Sequence, residues 1–156
     1  DTMNYWMDNC LRDLLIVISK TDVLIINDEE ALQLSNKNNL TSAAQKILTM
    51  GPDFLIIKRA ENGALLYGEN QVFACPSFAV KKCVDPTGAG DTFAGAFIGH
   101  MCSKNSTSFN DMAAGVVKAC AMASFCVEDF GVNNIIDKNL SEINQRIDAL
   151  KNHSVK

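Results

Sequence analysis

The sequence predicts an α/β fold with a mostly parallel sheet flanked by helices. Two short runs, residues 23–26 and 54–57, contain only apolar side chains, which is typical of strands buried on both faces of a parallel sheet. The residues between the two runs show helical patterns instead. A strand, a helix and a second strand in this order predict a right-handed crossover unit.

A longer helix is predicted ahead of the first strand, over residues 4–20. Its apolar side chains recur at helical spacing, and this pattern places Trp6 in the core. Between the two strands we predict two shorter helices that begin at Asp28 and Thr41, the second of which stops at Gly51.

An antiparallel meander is predicted after the second strand. Asn62-Gly63 has the chemistry of a tight turn, and Glu69-Asn70 separates two further short strands. Such a meander fits the edge of the sheet. The predicted ranges are 64–67 and 71–75 for the strands, 80–84 for an extended stretch, and 89–102, 110–127 and 141–150 for three helices.

The composition narrows the choice of ligands. The chain has 156 residues, of which 47% are hydrophobic and 21% are charged, as expected for one globular domain or a large piece of one. A net charge of -4 offers no basic face to a nucleic-acid backbone, so we expect no nucleic-acid partner. Because no apolar run approaches the roughly 20 residues of a membrane span, we expect a cytoplasmic protein with small-molecule ligands and no membrane partner.

The six cysteines form no CxxC pair and have no zinc-finger spacing to a histidine. Most have apolar neighbours, so we interpret them as small buried hydrophobes in a reducing compartment. The two histidines lie at predicted helix ends, where surface positions are expected. The cysteines are Cys10, Cys75, Cys83, Cys102, Cys120 and Cys126, and the histidines are His100 and His153.

A segment of small residues, Gly88-Ala89-Gly90, lies where the extended stretch meets the next predicted helix. Small residues at a helix start let several backbone N–H groups point at one spot, and the helix dipole adds positive potential there. The segment therefore predicts an anion site. Pro86 rigidifies the approach to it, and Thr87 can contribute a hydroxyl or a carbonyl group.

Asp91 follows this segment directly and admits two interpretations. A carboxylate beside a phosphate site would repel the ligand unless it had a separate task, and in phosphoryl transfer that task is to accept the proton of the attacking hydroxyl. Alternatively, the glycines form a tight turn and Asp91 caps a helix, which Gly-x-Gly-Asp taken alone favours.

The longer string over residues 85–97, DPTGAGDTFAGAF, resembles the second signature of the PfkB-type carbohydrate kinases, the ribokinase-like family. The resemblance implies a three-layer sandwich and ATP-dependent transfer of the γ-phosphate to a hydroxyl of a sugar, sugar phosphate or nucleoside. It implies Asp91 as the catalytic base, and an anion hole built by Gly88, Ala89 and Gly90.

The resemblance extends to an Asn-x-x-Glu motif, matched by Asn27 and Glu30 directly after the first strand. In the family this motif helps to place Mg²⁺ and the ATP phosphates, and the resemblance implies that Asn27 and Glu30 contact Mg²⁺ through water. Carboxylate and amide oxygens suit such a hard cation. Taken without the resemblance, residues 27–30 are an acidic helix start stabilised by the helix dipole.

The family's Thr-x-Gly-x-x-Gly turn is matched less closely by residues 58–63, since Lys58 replaces Thr and Ala60 stands at the first glycine. The resemblance implies that Lys58 pairs with phosphate and that Gly63 lets the backbone approach the nucleotide. The alternative is a charged hairpin turn without a ligand.

The resemblance also allows for a K⁺ site at Asp85 and Thr87, which otherwise belong to a turn around Pro86. Thr87 is further expected near the nucleotide. Adenine is expected near residues 119–131, where single contacts do not align.

The resemblance covers residues 1–156 as the C-terminal, nucleotide-binding and catalytic part of a family member. The half with the sugar-contacting residues would be absent, so we expect an isolated fragment to be inactive. The resemblance allows for a homodimer. A non-catalytic ATP-binding module stays open as an alternative, whereas a dinucleotide-binding oxidoreductase is disfavoured, because Asp91 stands where its fingerprint requires a small residue.

Overall fold

The computed structural model of the chain describes residues 2–104 and 106–152. The chain folds into two compact units. The first unit comprises residues 1–59 and 65–72, and the second comprises residues 60–64 and 73–156.

The first unit contains the crossover that the sequence predicts. Its elements are α1 (Asn4–Asn9), α2 (Leu11–Ile18), β1 (Val23–Asn27), α3 (Asp28–Ser35), α4 (Leu40–Leu48) and β2 (Phe54–Lys58), followed by most of β3 (Ala64–Gly68) and the start of β4 (Gln71–Cys75). β1 and β2 are parallel, and the strand order in the sheet is β1-β2-β3-β4. The α/β prediction with a parallel pair and an edge hairpin is confirmed.

The core of this unit lies on the two parallel strands and the helices that cover them. The middle residues of β1 and the first four of β2 are all buried, which confirms strands covered on both faces. The cluster consists of Ile18, Leu24, Ile26, Ala31, Ala44, Ile47, Leu55, Ile57 and Tyr67.

The single helix predicted over residues 4–20 is wrong, because the chain leaves helical geometry at Cys10 (φ -138°, ψ 33°). The break changes the phase of the apolar pattern. Met7 and Ile18 are the buried residues of α1 and α2, whereas Trp6 remains 46% exposed. The core position predicted for Trp6 is therefore also wrong.

Asparagine side chains cap three helices one or two positions before the predicted starts or caps. Asn27, Asn39 and Asn139 each accept a hydrogen bond from a backbone N–H of the first helical turn. An Asn in extended geometry satisfies these otherwise unpaired donors well. Asp28 and Thr41 are consequently helical residues and not the caps.

The hairpin turn between β3 and β4 is the predicted Glu69-Asn70. Both residues have positive φ, 50° and 59°, the pattern of a type I′ turn whose twist matches that of antiparallel strands. The meander is confirmed at this point.

Ala60, which stands at the family's first glycine, adopts a left-handed φ of 45°. This geometry costs a non-glycine residue about 1–2 kcal/mol, part of which the larger unfolded-state entropy of glycine offsets. Ala60→Gly should therefore raise the free energy of unfolding by about 0.5–1 kcal/mol in urea denaturation. Ala114→Gly, at an exposed position inside a helix, should lower it by a similar amount, and a loss in both variants would contradict the reasoning.

The second unit is helical. It contains a 3₁₀ turn (Ala60–Asn62), α5 (Ala89–Cys102), α6 (Phe109–Cys126), the short α7 (Asn133–Ile136) and α8 (Leu140–Lys151). α6 packs against α5, α7 and α8, and most of its residues are buried. The helices predicted over 89–102, 110–127 and 141–150 are confirmed, whereas α7 was not predicted and residues 80–84 form no strand.

The middle of α8 is held to α6 through Arg146. Its guanidinium lies 3.5 Å from the centroid of the Phe125 ring and 4.3 Å from that of Phe78. It also donates to Ser124 Oγ and to Glu128 Oε2, each at 3.0 Å. Stacking and a charge-assisted hydrogen bond together fix this side chain.

The start of α8 should be sensitive to pH. The hydrogen bond from the Asn139 N–H, and to a smaller extent that from Lys138, lowers the pKa of Glu142 below its ordinary 4.5. The carboxylate therefore stabilises the fold above that pH and loses this effect as the pH falls. Glu142→Gln should have a lower urea midpoint than wild type at pH 7, and the difference should shrink as the pH falls below the ordinary value of 4.5 and through the lowered pKa of Glu142. Glu69→Gln serves as the control, and a difference that persists in acid would contradict the assignment.

The cysteine prediction is confirmed for three residues. Cys75, Cys120 and Cys126 are buried, whereas Cys10 is half-buried and Cys83 and Cys102 are exposed. Every cysteine is a free thiol.

The surface position predicted for His100 is wrong, because its ring is half-buried against α6 at Gly115, and burial lowers its pKa. His153 lies outside the described residues. Within the described ranges, no helix is long and apolar enough to cross a membrane.

Candidate active site

The predicted anion segment forms the start of α5. Gly88 is the N-cap residue and has left-handed geometry (φ 80°, ψ -2°), whereas Ala89 and Gly90 are already the first two helical residues. No side chain caps this helix. The first N–H groups of a helix lack partners within it, so an uncapped start is suited to an anionic ligand.

The approach to Gly88 is held by short local hydrogen bonds. Asp85 Oδ1 accepts the Thr87 N–H at 2.9 Å, and the Ala89 N–H donates to the Pro86 carbonyl at 3.2 Å. The backbone and side chain of Thr87 lower the pKa of Asp85 below its ordinary 3.8. Asp85 is therefore a carboxylate at neutral pH.

Asp91 is the third residue of α5 and is exposed. It is not the helix cap, since Gly88 occupies that position. Within residues 2–104 and 106–152, its carboxylate has no hydrogen-bond or ion-pair partner. A carboxylate one turn from an uncapped helix start and without a structural partner is available for chemistry.

The first unit contains a second set of predicted site residues, those expected to bind the nucleotide. Asn27 and Lys58 are the last residues of β1 and β2 and lie directly opposite each other in the parallel register. Ligands of open α/β sheets bind outside the carboxyl ends of the strands. The register thus brings two of the predicted nucleotide-binding residues together.

Glu30 has a structural task in this set. Its Oε2 accepts the Asn27 N–H at 2.9 Å while Asn27 Oδ1 accepts the Glu30 N–H at 2.7 Å, a capping box at the start of α3. The other oxygen, Oε1, accepts the Met3 N–H at 3.0 Å, and Glu30 is only 4% exposed. The sequence-based alternative of a stabilised acidic helix start is thus present, and a Mg²⁺ role stays a prediction.

The oxygens of Asn27 and Glu30 fit a Mg²⁺ ion that keeps part of its hydration shell. In the described part of the chain, no group of three His, Cys, Asp or Glu side chains could hold a metal. Mg²⁺ usually retains several waters and uses one or two protein oxygens together with substrate phosphates. Asn27 and Glu30 can supply such oxygens.

Gly63 is required by the chain's own backbone. It has φ 81°, and a Cβ atom there would lie 2.1 Å from the Cys75 carbonyl oxygen and 2.6 Å from the Pro76 carbonyl carbon. This close approach explains the glycine without a ligand. Its predicted contact with the nucleotide remains a prediction.

A cavity that the sequence did not predict lies within the second unit and has a volume of about 560 Å³. Its lining includes Phe78, Phe125, Glu128, Lys138 and Arg146. Phe125 and Glu128 fall in the range 119–131 that the resemblance assigns to adenine. Apart from Phe78, the lining lies between residues 125 and 149, on α6, α7, α8 and the connections between them.

Known relatives support the fold and the type of chemistry. A cytidine kinase of Thermococcus kodakarensis is 35% identical over 89 residues, which are 56% of this chain and 32% of the relative. A nucleoside kinase of Methanocaldococcus jannaschii is 27% identical over 144 residues, 91% of this chain and 43% of the relative.

A solved structure of an E. coli protein of the ribokinase II type, in complex with ATP and Mg²⁺, has a TM-score of 0.72 and 31% identity. The match covers 88% of this chain and 43% of that one. The ribokinase-like fold prediction is thereby confirmed, and the chain spans less than half the length of these three proteins.

The family model described as pfkB family carbohydrate kinase matches residues 3–139. The matched range includes the start of α5, Asp91 and the ends of β1 and β2. Because the match extends over most of the sequence, the chain belongs to the pfkB family of carbohydrate kinases.

Proposed function

We propose that the protein containing this chain transfers the γ-phosphate of ATP to a hydroxyl of a sugar, a sugar phosphate or a nucleoside. The observation that carries the proposal is the uncapped start of α5 at Gly88, followed within one turn by the exposed carboxylate of Asp91, which has no partner among the described residues. The kinase relatives, which include nucleoside kinases and a ribokinase-type protein, support the choice of acceptors.

In the proposed mechanism Asp91 orients the acceptor hydroxyl and takes its proton as the oxygen attacks the γ-phosphorus. The bond from phosphorus to the bridging oxygen of ADP breaks as the new bond forms. The backbone N–H groups of Gly88 and Gly90 stabilise the negative charge that spreads over the transferred group, and Ala89, whose N–H also donates to the Pro86 carbonyl, completes the segment between them. A carboxylate is a weak base, so the contribution of Asp91 is mainly positioning and late proton acceptance.

The remaining predicted residues hold the nucleotide in this proposal. Mg²⁺ would neutralise charge on the phosphates, with Asn27 and Glu30 as its water-bridged protein partners. Lys58, beside Asn27 in the register, would pair with phosphate. Thr87 and Gly63 would contact the nucleotide. We propose accordingly that the chain is the C-terminal, nucleotide-binding and catalytic part of the kinase.

A screen of acceptors tests the proposal. The complete protein is incubated with ATP and Mg²⁺ and a panel of pentoses, hexoses, sugar phosphates and nucleosides, and ADP release is followed with coupling enzymes. We expect release with at least one class of acceptor and a background rate without any. If calorimetry shows ATP–Mg²⁺ binding while no acceptor raises ADP release, the protein is a binding module and the proposal is wrong.

Potassium should activate the enzyme. Asp85 is held as a carboxylate by Thr87, and carboxylate and carbonyl oxygens at this turn can serve a monovalent cation. We expect a severalfold higher turnover in KCl than in NaCl at equal ionic strength, and Asp85→Ala should abolish the difference. Equal rates of the wild-type enzyme in both salts would rule out the site.

A further inference from the structure

The C-terminal end of α6 contacts the anion segment through a buried thiol. Cys126 is the last residue of α6 and is 2% exposed. Its Sγ lies 3.6 Å from the carbonyl oxygen of Thr87 and 3.8 Å from that of Gly131. A thiol is a weak donor with one proton, which these two carbonyl groups share.

The next residue of the chain, Val127, binds the stretch that leads to the anion segment. The Val127 carbonyl accepts the Val84 N–H at 2.7 Å and the Asp85 N–H at 3.4 Å. A Cβ atom added at Gly88 would lie 3.9 Å from Cys126 Sγ. The end of α6 therefore contacts residues 84 and 85, and it contacts the chain again at Thr87, directly before the N-cap of α5.

The geometry of the Thr87–Gly88 peptide bond links the contact at the Thr87 carbonyl to the direction of the Gly88 N–H. The bond between Thr87 and Gly88 is trans, so the Gly88 N–H points opposite to the Thr87 carbonyl. When Cys126 holds that carbonyl on its own side, the Gly88 N–H is directed away from α6. A hydrogen bond at the carbonyl thus fixes the direction of a donor in the anion segment.

We infer that Cys126 is a positioning residue for the anion segment, and that it aims the Gly88 N–H at the transferred phosphoryl group. The kinetic part of this inference rests on the proposed function, whereas the structural part does not. The thiol is buried and acts through the Thr87 carbonyl. Loss of the donor would let the Thr87–Gly88 peptide rotate, which weakens charge stabilisation in the transition state more than ATP binding.

Hydrogen exchange of the segment tests the structural part without any assumption about activity. Cys126→Ala should raise the exchange of the amides of residues 84, 85 and 87–89 by about fivefold to tenfold, since one hydrogen bond is lost and its partner carbonyl is left unpaired. Cys126→Ser keeps a donor and should stay near wild type, whereas Cys126→Val, which fills the volume without a donor, should behave like the alanine variant.

Cys120→Ala is the matched control, because Cys120 is a buried cysteine of the same helix whose thiol interacts with that of Cys75. Its exchange over residues 84–89 should equal that of wild type. Unchanged exchange in Cys126→Ala, an equal rise in Cys120→Ala, or wild-type behaviour of Cys126→Val would overturn the inference.

Steady-state kinetics test the consequence for phosphoryl transfer. Cys126→Ala and Cys126→Val should lower kcat about tenfold while KM for ATP changes less than about threefold, and Cys126→Ser should recover most of the loss. A wild-type protein without transfer activity would refute the proposed function, while the exchange data would still decide the role of Cys126. A rise in KM for ATP with kcat unchanged would overturn the positioning role.

Discussion

Asp91→Asn should reduce kcat by about 10²–10⁴-fold, the range typical of a lost general base, while KM for ATP stays within a few fold. Asn has the same shape but cannot take the proton of the acceptor hydroxyl. The side chain is exposed and, within the described residues, without a hydrogen-bond partner, so the free energy of unfolding should change by less than about 0.5 kcal/mol. Initial rates at saturating ATP and acceptor measure the loss.

The matched control is Asp137→Asn, an exposed carboxylate in the same unit that directly follows α7. It should keep wild-type turnover. Asp91→Asn with wild-type kcat would remove Asp91 from the chemistry and leave only the helix dipole as its role.

Gly63→Ala should have the largest effect on stability, a loss of at least about 3 kcal/mol in the free energy of unfolding. The new Cβ would lie 2.1 Å from the Cys75 carbonyl oxygen and 2.7 Å from the Ser77 backbone nitrogen, and main chain cannot move aside as a flexible side chain can. The positive φ of 81° adds backbone strain. Urea unfolding followed by circular dichroism measures the change.

Gly99→Ala provides the comparison, because a Cβ atom at Gly99 would meet nothing within 4 Å inside α5. Alanine favours the helix, so this variant should gain about 0.5–1 kcal/mol. If both variants lost stability equally, the close approach at Gly63 would not be the cause.

The parallel strands could be predicted because their signal is local. An unbroken apolar run such as residues 54–57 needs burial on both faces, and the structure buries all four residues. The start of α5 at Ala89 was likewise predictable, since Gly88 permits a φ that other residues avoid. The proximity of Asn27 and Lys58 then follows from parallel register alone.

Other features depend on contacts that sequence spacing does not contain. Trp6 fits a helical stripe, but the break at Cys10 changes which side chains face the core. The contact of Cys126 with Thr87 joins residues 39 positions apart, and the cavity near Arg146 combines the distant Phe78 with a lining that otherwise lies within residues 125–149. Tertiary packing decides such positions, so a pattern within one segment cannot reveal them.

The most direct test of phosphoryl transfer is to follow the label of γ-³²P-labelled ATP with the complete protein, Mg²⁺ and an acceptor that raises ADP release. We expect the label to appear on a hydroxyl of the acceptor, in amounts equal to the ADP formed, and Asp91→Asn to slow this transfer by about 10²–10⁴-fold. Label released only as inorganic phosphate, or retained in bound ATP, would contradict this expectation.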